Sequence, residues 1–389
     1  MILRGNIYTS EECIHNGYIK IDGKTIAAVS VEPIAPQPDE PVLDYAGHMI
    51  VPGFINVHIH GGAGADAMDA TPEAVKAIAI DQARQGVTTF LLTTLSADRA
   101  TLRQVLTSFR HILSTPLQGA QIAGIHLEGP FISIEKKGAQ SEDGIRDYES
   151  LNTVDELQQF VELSGNTLRL VTLAPERQDA EALSRFATEH NIVVSLGHST
   201  AGFEQTQQAI EWGARHATHT FNAMPPIHHR EPGLITAVIC DDRVYTEMIA
   251  DGIHLHPAIC SFLLKAKGED KVILITDALR CAGMPDGDYA LADQQVTKSG
   301  KYVYIRGKVG ETLAGSILEM NRGVELLVTQ AGYTLQQAIK AASTNPARAL
   351  GLDDTKGSLA PGKDADIVVL TEDFDVKTVL LQGKERPRE

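Results

Sequence analysis

The sequence predicts an α/β fold: a (β/α)8 TIM-like barrel that carries a small β-sandwich domain built from both termini. Three observations predict it. From residue 51, eight apolar, β-branched runs alternate with amphipathic stretches, several of helical period, and such repetition packs as a parallel sheet. No Gly-x-Gly-x-x-Gly turn follows the first run, which leaves a doubly wound open sheet as the second choice. Residues 1–50 and 357–389 are both β in texture, and strands that flank one barrel are expected to pair into one small domain.

The elements follow in order. Ile19-Lys20-Ile21-Asp22 alternates before a turn at Gly23-Lys24, and the four prolines between Glu32 and Pro41 mark a loop. The eight barrel runs are Phe54–His60, Thr88–Thr93, Ile122–Leu127, Leu168–Leu173, Ile192–Leu196, His216–Thr220, Tyr245–Ala250 and Val272–Thr276. Helical spacing fills several of the intervals, as at Thr71–Gln85, Gln178–His190 and Gly202–Trp212. The pattern breaks at 285–312, where Asp286-Gly287-Asp288, Ser299-Gly300 and Arg306-Gly307 separate short β runs. A hairpin-bearing excursion is expected there. Helices return at Glu319–Gln330 and Leu335–Ala342, and β texture from Gly357 to about Gln382. The barrel is thus expected over 51–356.

Composition narrows the function. A net charge of −16 disfavours nucleic acid or an anionic membrane as the main partner, and means that an anionic ligand needs local basic groups. No apolar run reaches the length of a membrane span, and Met1–Asn6 lacks a signal peptide's apolar core. Cys13, Cys240, Cys260 and Cys281 have no metal-type spacing. Reduced thiols and a cytoplasmic location are the expectation.

Barrel chemistry sits at the C-terminal ends of strands. The first run ends in His58-Ile59-His60, and residues two apart share a face, so both imidazoles point the same way. The third ends in His126-Leu127-Glu128, where Glu128 is either a ligand or a salt-bridged structural carboxylate, and His126 reads as support or core. The fifth ends in Leu196-Gly197-His198, the sixth in His216-Ala217-Thr218-His219 and the eighth in Ile275-Thr276-Asp277. Singly, each polar residue is more often structural than functional. Jointly, His58, His60, Glu128, His198, His219 and Asp277 make a nitrogen and oxygen set suited to zinc, iron or manganese rather than calcium, with one or two divalent ions per chain.

This constellation resembles the amidohydrolase superfamily of metal-dependent barrels, with His-x-His on strand one, histidines on strands five and six and an aspartate on strand eight. Many relatives bridge two metals through a modified lysine on strand four. The fourth run, Leu168 to Pro175, has no lysine, so Glu128 would serve instead. The tail Lys356–Val368 is similar to the superfamily's return into its small β domain. More narrowly, the chain resembles the N-acetylglucosamine-6-phosphate deacetylase family almost end to end. The matching stretches include Val51-Pro52-Gly53-Phe54, His126–Phe131, Gly197-His198-Ser199, His219–Pro225, Arg230-Glu231-Pro232-Gly233, Ala250–His254, Thr276-Asp277-Ala278 and Leu313–Ser316.

The resemblance implies hydrolysis of the acetamide of N-acetylglucosamine 6-phosphate, in amino-sugar catabolism and cell-wall sugar recycling. Bound metal would lower the pKa of water from about 15.7 to about 7, with Asp277 as the catalytic proton shuttle. It implies substrate contacts from Ala139, Gln140, Asn222, Ala223, Arg230, His254, Leu313, Ala314 and Gly315. It also implies a homodimer in which Arg230 reaches the neighbouring subunit's phosphate. The intact His58–His60 pair resembles the two-metal branch. Gln140 stands where some members carry a histidine, and an amide donates a hydrogen bond but carries no proton. Competing readings are a loop amide for Gln140 and a surface pair with Glu231 for Arg230. For the whole chain they are an N-acetylgalactosamine-6-phosphate deacetylase, a cyclic-amide hydrolase, a sugar-phosphate sensor or a metal-free scaffold.

Overall fold

The computed structural model describes residues 1–146, 152–308, 310 and 312–385. Eight strands, Phe54–Asn56, Val87–Thr93, Gln121–Glu128, Leu168–Leu173, Val193–Leu196, Ala214–Ala217, Tyr245–Ile249 and Val272–Ile275, form one sheet in sequential order. Every neighbouring pair is parallel. Such strands are covered on both faces, which is why they read as continuous apolar runs. On one face Ile55, Val57, Leu91, Leu170, Ile249, Ile273 and Ile275 pack together. The larger cluster joins the sheet to its helices. Beyond the strands, the Asp277 N–H donates to His58 O at 2.9 Å and the His60 N–H to Ala278 O at 3.0 Å. The segments following the first and eighth strands are thereby hydrogen-bonded to each other.

The helices form where spacing and capping agree. Arg99–Leu113 buries Leu102, Val105, Leu106, Phe109 and Ile112, one helical stripe, and Asp98 accepts the N–H groups of Ala100 and Thr101 at its start. Pro72–Arg84 begins with proline at its first position behind a Thr71 cap. The expected helix at Leu335–Ala342 is helical over Leu335–Ile339 and passes through a π-helical turn, Lys340–Thr344, into Asn345–Ala349. Two strands differ in extent from the sequence reading. The first ends at Asn56, and the sixth covers Ala214–Ala217 rather than His216–Thr220. His58, His60 and His219 therefore lie on the turns that leave the sheet. The sixth strand starts early because Ala214 pairs with Val194, and Arg215 hides that start from a hydropathy reading.

The termini build one seven-stranded mixed sheet in the order Lys384–Glu385, Val376–Leu381, Ile367–Leu370, Val42–Pro52, Ile2–Tyr8, Cys13–Asp22 and Thr25–Ser30. Pairing runs through a single sheet rather than two facing ones. Its ends are drawn together: Ala365 N–H donates to Lys24 O at 2.8 Å, and Gly383 N–H to Ala365 O at 2.9 Å. Leu3, Ile19, Ile26, Ile50, Ile367 and Leu380 fill the space between. The excursion is a three-stranded antiparallel sheet, Gly287–Leu291, Gln294–Ser299 and Tyr302–Ile305. Its first turn meets the segment that follows the third strand. Ser141 Oγ donates to Asp293 Oδ2 at 2.7 Å, and Gln294 Nε2 donates to Ala139 O at 2.8 Å.

The chain passes from the terminal sheet to the parallel sheet through Gly53 alone. A Cβ there would stand 2.1 Å from Thr88 Oγ1 and 2.7 Å from Thr88 Cβ, too close for any rotamer change to relieve. Gly53→Ala is expected to destabilise the protein by roughly 1–3 kcal/mol, the range for overpacking a filled site. A lowered denaturation midpoint checks it, and an unchanged midpoint would show that the junction yields.

Candidate active site

The six residues singled out as ligands all lie at the C-terminal end of the parallel sheet and are almost fully buried. They fall into two groups, His58–His60–Asp277 and Glu128–His198–His219, with the candidate ligand atoms of each within 4.8 Å of one another. Glu128 joins the groups. Its Oε1 lies 3.3 Å from His58 Nε2, 3.3 Å from His198 Nε2 and 3.2 Å from His219 Nε2, and its Oε2 lies 3.2 Å from His60 Nε2. Asp277 Oδ1 is 3.2 Å from His60 Nε2 and 3.5 Å from His58 Nε2. His198, His219 and Asp277 adopt φ of +49°, +28° and +50°, a left-handed backbone that non-glycine residues accept where a site demands it.

The donor set suits a divalent cation. His198 Nε2 and His219 Nε2 are 3.1 Å apart, where two N–H groups cannot face each other. His58 Nε2 is buried and makes no hydrogen bond among the described residues. Two of the four outer nitrogens are committed elsewhere: His198 Nδ1 donates to Lys136 O at 2.7 Å, and His58 Nδ1 to Glu247 Oε2 at 3.0 Å. Charge is concentrated in the cage. Burial works against a charged His58, yet Glu128, Glu247 and Asp277 raise its pKa well above the ordinary value. Burial likewise opposes charge on His60, but hydrogen bonds to Asp277 and Glu128 lift it to about 9. Burial would raise Asp277, and His58 and His60 hold it below the usual carboxylate range instead.

A cavity of about 420 Å3 opens on this cage, lined by His60, Glu128, His198, His219 and Asp277 together with Ala139, Gln140, Asn222, Ala223, His254, Leu313 and Gly315. Gln140 is buried and clamped. Its Nε2 donates to Glu128 Oε2 at 2.6 Å, and its Oε1 accepts the Ser96 N–H at 2.6 Å. The reading of a loose loop amide is set aside. His254 Nδ1 donates to Asp251 Oδ2 at 2.7 Å. Burial disfavours its charge, and Asp251 raises its pKa all the same. Gly315, at φ +48°, lets its segment press against Asp277: a Cβ would meet Leu279 at 2.8 Å and Asp277 O at 2.9 Å. Ala314 is buried in the apolar cluster behind. Arg230 is not brought to the cavity. It is exposed, and its Nη1 lies 2.9 Å from His229 Nε2. A larger cavity of about 630 Å3 lies at the other end of the sheet, beside Gln121 and Lys384, without clustered ligands.

Sequence reasoning missed several residues. Leu95, Leu279 and Leu291 give the cavity an apolar wall, and Glu135, Lys136 and Thr312 line its rim. Only contact across distant segments reveals them. Glu247 is the larger omission. It is fully buried on the seventh strand and hydrogen-bonded to His58, His216 and His219. The one available signal was a lone carboxylate inside the apolar run Tyr245–Ala250. His126, read as support or core, hydrogen-bonds Thr172 Oγ1 at 2.7 Å. Burial and the nearby His58 push its pKa well below the ordinary value.

Comparison with known proteins places this geometry. Residues 49–386 match the amidohydrolase family model. The chain is 38% identical to N-acetylglucosamine-6-phosphate deacetylase of Bacillus subtilis over 97% of this chain and 94% of that one. It is also 38% identical to N-acetylgalactosamine-6-phosphate deacetylase of Escherichia coli O157:H7, over 97% of both. Among solved structures, N-acetyl-D-glucosamine-6-phosphate deacetylase from Mycobacterium smegmatis superposes with a TM-score of 0.92 at 33% identity, covering 100% of each chain. On this match, which takes in the whole parallel sheet and every ligand candidate, the chain belongs to the amidohydrolase family.

Proposed function

We propose that the protein is a metal-dependent deacetylase that converts N-acetylglucosamine 6-phosphate to glucosamine 6-phosphate and acetate. The observation that carries this reading is the six-residue cage opening on one cavity with Gln140 and His254, in a chain alike in full length to amino-sugar-phosphate deacetylases. The hydrogen bonds between the segments after the first and eighth strands support closure of the barrel expected over 51–356, with Val51 and Pro52 paired instead into the terminal sheet. Zinc, iron or manganese suits the imidazole and carboxylate donors.

Divalent ions held by His58, His60, Asp277, Glu128, His198 and His219 would supply Lewis-acid polarisation of the acetamide carbonyl and acidify water. The residues do the rest. Asp277, at the cavity wall, accepts a proton from the attacking water at its carboxylate and returns it to the leaving amine. Gln140 spends one Nε2–H on Glu128 and aims the other at the carbonyl oxygen, where negative charge develops. His254, whose ring Nδ1–H is held by Asp251, faces the anionic end of the substrate. Arg230 completes phosphate recognition from the partner of a homodimer. The proline-rich segment 224–233, which follows the cavity-lining Asn222 and Ala223 and exposes Ile227 and Arg230, supports that arrangement.

Purified protein is expected to carry up to two divalent ions and to release amine from N-acetylglucosamine 6-phosphate. Chelation should abolish release and added ion restore it. Turnover that survives full metal removal would sink the reading, and a ceiling of one ion per chain would sink the two-ion form. The galactosamine epimer in the same assay decides which sugar is preferred.

Asp277→Asn is expected to keep the fold and much of the metal while losing at least about 10²–10⁴-fold in turnover, since an amide cannot accept the proton. Near-normal turnover with metal bound would remove Asp277 from proton transfer.

Arg230→Ala should cut the preference for the phosphorylated over the plain sugar by about 10–150-fold, the worth of a charged hydrogen bond of roughly 1.5–3 kcal/mol, with metal content unchanged. A mixed dimer of Arg230→Ala and Asp277→Asn subunits tests its reach. Activity per intact Asp277 returns if the arginine acts across the interface, and stays at the Arg230→Ala level if it acts within its own chain.

A further inference from the structure

We infer that Glu247 is a positioning residue that fixes both candidate metal groups from behind, by holding the ring of His58 and the backbone of His219 on one carboxylate oxygen. It touches neither the cavity nor the six ligand atoms' shared space. Glu247 Oε2 accepts from His58 Nδ1 at 3.0 Å and from the His219 backbone N–H at 2.9 Å, and Oε1 accepts from His216 Nε2 at 2.9 Å. The carboxylate and all three donors are buried, with His58, His216 and Glu247 wholly so. Nothing in the cage explains a buried carboxylate at this point on the seventh strand. It has no path to substrate, and an unpaired one would be costly.

The geometry supplies the reason. A histidine's outer torsion is broad and roughly two-fold, so the ring can present either edge to the cage. Tying Nδ1–H to Glu247 settles that choice and leaves Nε2, which has no hydrogen bond of its own, facing Glu128 Oε1 at 3.3 Å and Asp277 Oδ1 at 3.5 Å. His219 stands at φ +28°, a conformation that persists only when its surroundings hold it. The hydrogen bond from its N–H to the same oxygen is one such hold. The peptide after it is held as well, by Thr220 N–H to Glu247 O at 2.9 Å. One residue on one strand thus sets a ligand in each group. An ionised partner also makes an imidazole a stronger donor to a metal, and loss of such partners elsewhere costs about 10–100-fold in metal affinity.

This rests on the reading of the cage as a metal site, and metal titration separates the two claims. Folded, metal-free protein is titrated with Zn2+ against a chelator of known affinity, and with Co2+ for its visible spectrum. His60→Asn identifies the step that belongs to the His58 group. Glu247→Gln keeps one oxygen for His58 and His219 but withdraws the charge, and is expected to weaken that step about tenfold. Glu247→Val removes every side-chain acceptor and is expected to weaken it about a hundredfold and to alter the Co2+ bands. A purely structural role would lower the melting point of the metal-free variants and leave the affinities of the folded protein at wild-type values. That result with Glu247→Gln overturns the inference even if Glu247→Val does not fold. Wild-type protein that takes up no ion overturns the metal reading itself, and the inference with it.

Discussion

A carboxylate surrounded by four imidazoles, held out of water at the end of a parallel sheet, sets the demands that the rest of the molecule meets. Glu128 has His58, His60, His198 and His219 within 3.3 Å and is almost fully buried. Removing such a group from water costs several kcal/mol, and the cost is offset only by cations or hydrogen bonds in good geometry. The ligands come from five different strand ends, so the offset depends on the sheet holding those ends in fixed register. Sequential parallel pairing does so, because each strand is hydrogen-bonded on both sides through most of the sheet and apolar on both faces. The left-handed backbone of His198, His219 and Asp277 is the strain left at the site once the scaffold is satisfied.

The face of the sheet that bears the ligands is not purely apolar. Below the cage, His126 Nε2 meets Thr172 Oγ1, Thr172 Oγ1 meets Thr218 Oγ1, and Thr218 Oγ1 meets Ser195 Oγ, at 2.7, 2.7 and 2.5 Å. Asn56 Nδ2 donates to Thr276 Oγ1 and Gln82 Oε1. These buried hydroxyls and amides satisfy one another, as buried polar groups must. Together with Glu247 they form a graded floor between the charged cage and the apolar layer of Ile55, Leu91, Leu170 and Ile273. Of these bonds, those of Glu247 reach the cage directly, at His58 Nδ1 and at the His219 N–H.

The parts of this arrangement that were legible in the sequence share one property. Each ligand is a polar residue that ends an apolar run, and a strand-end position in a β/α repeat is itself a prediction of where the side chain goes. His58, His60, Glu128, His198, His219 and Asp277 were all found this way. Glu247 was not, because a single carboxylate within five strand residues gives no sign of whether its neighbours are water or histidines. The wall of Leu95, Leu279 and Leu291 was hidden for another reason: the three come from segments up to nearly two hundred residues apart, and Leu291 arrives on the excursion. The excursion itself was seen as a hairpin, but its third strand and its grip on Ala139 and Ser141 depend on tertiary contact. The terminal strands were legible as β and as partners. That they would pair as one sheet with its ends drawn together was not, since alternation fixes which side chains share a face and not how far the hydrogen-bond ladder continues.

Charge explains how the chemistry and the recognition divide. A chain of net charge −16 repels a dianionic phosphate at long range, so cations must be concentrated where the phosphate docks. The cage gives little of this to the outside, because its imidazoles are matched against Glu128, Glu247 and Asp277 a few ångströms away. Positive charge at the cavity is favoured instead on connecting segments, by Lys136 at the rim and by His254, whose pKa Asp251 raises against the effect of burial. Arg230 sits on the segment after the sixth strand and outside its own chain's cavity. The candidate ligands thus sit at strand ends, where geometry is rigid, and the groups proposed to bind the anion ride on loops, where sequence can vary without disturbing the cage. Relatives named for two different epimers lie at the same identity to this chain. That is what a scaffold of this kind would produce if, as proposed, loops read the one hydroxyl on the sugar and the cage cuts the amide bond.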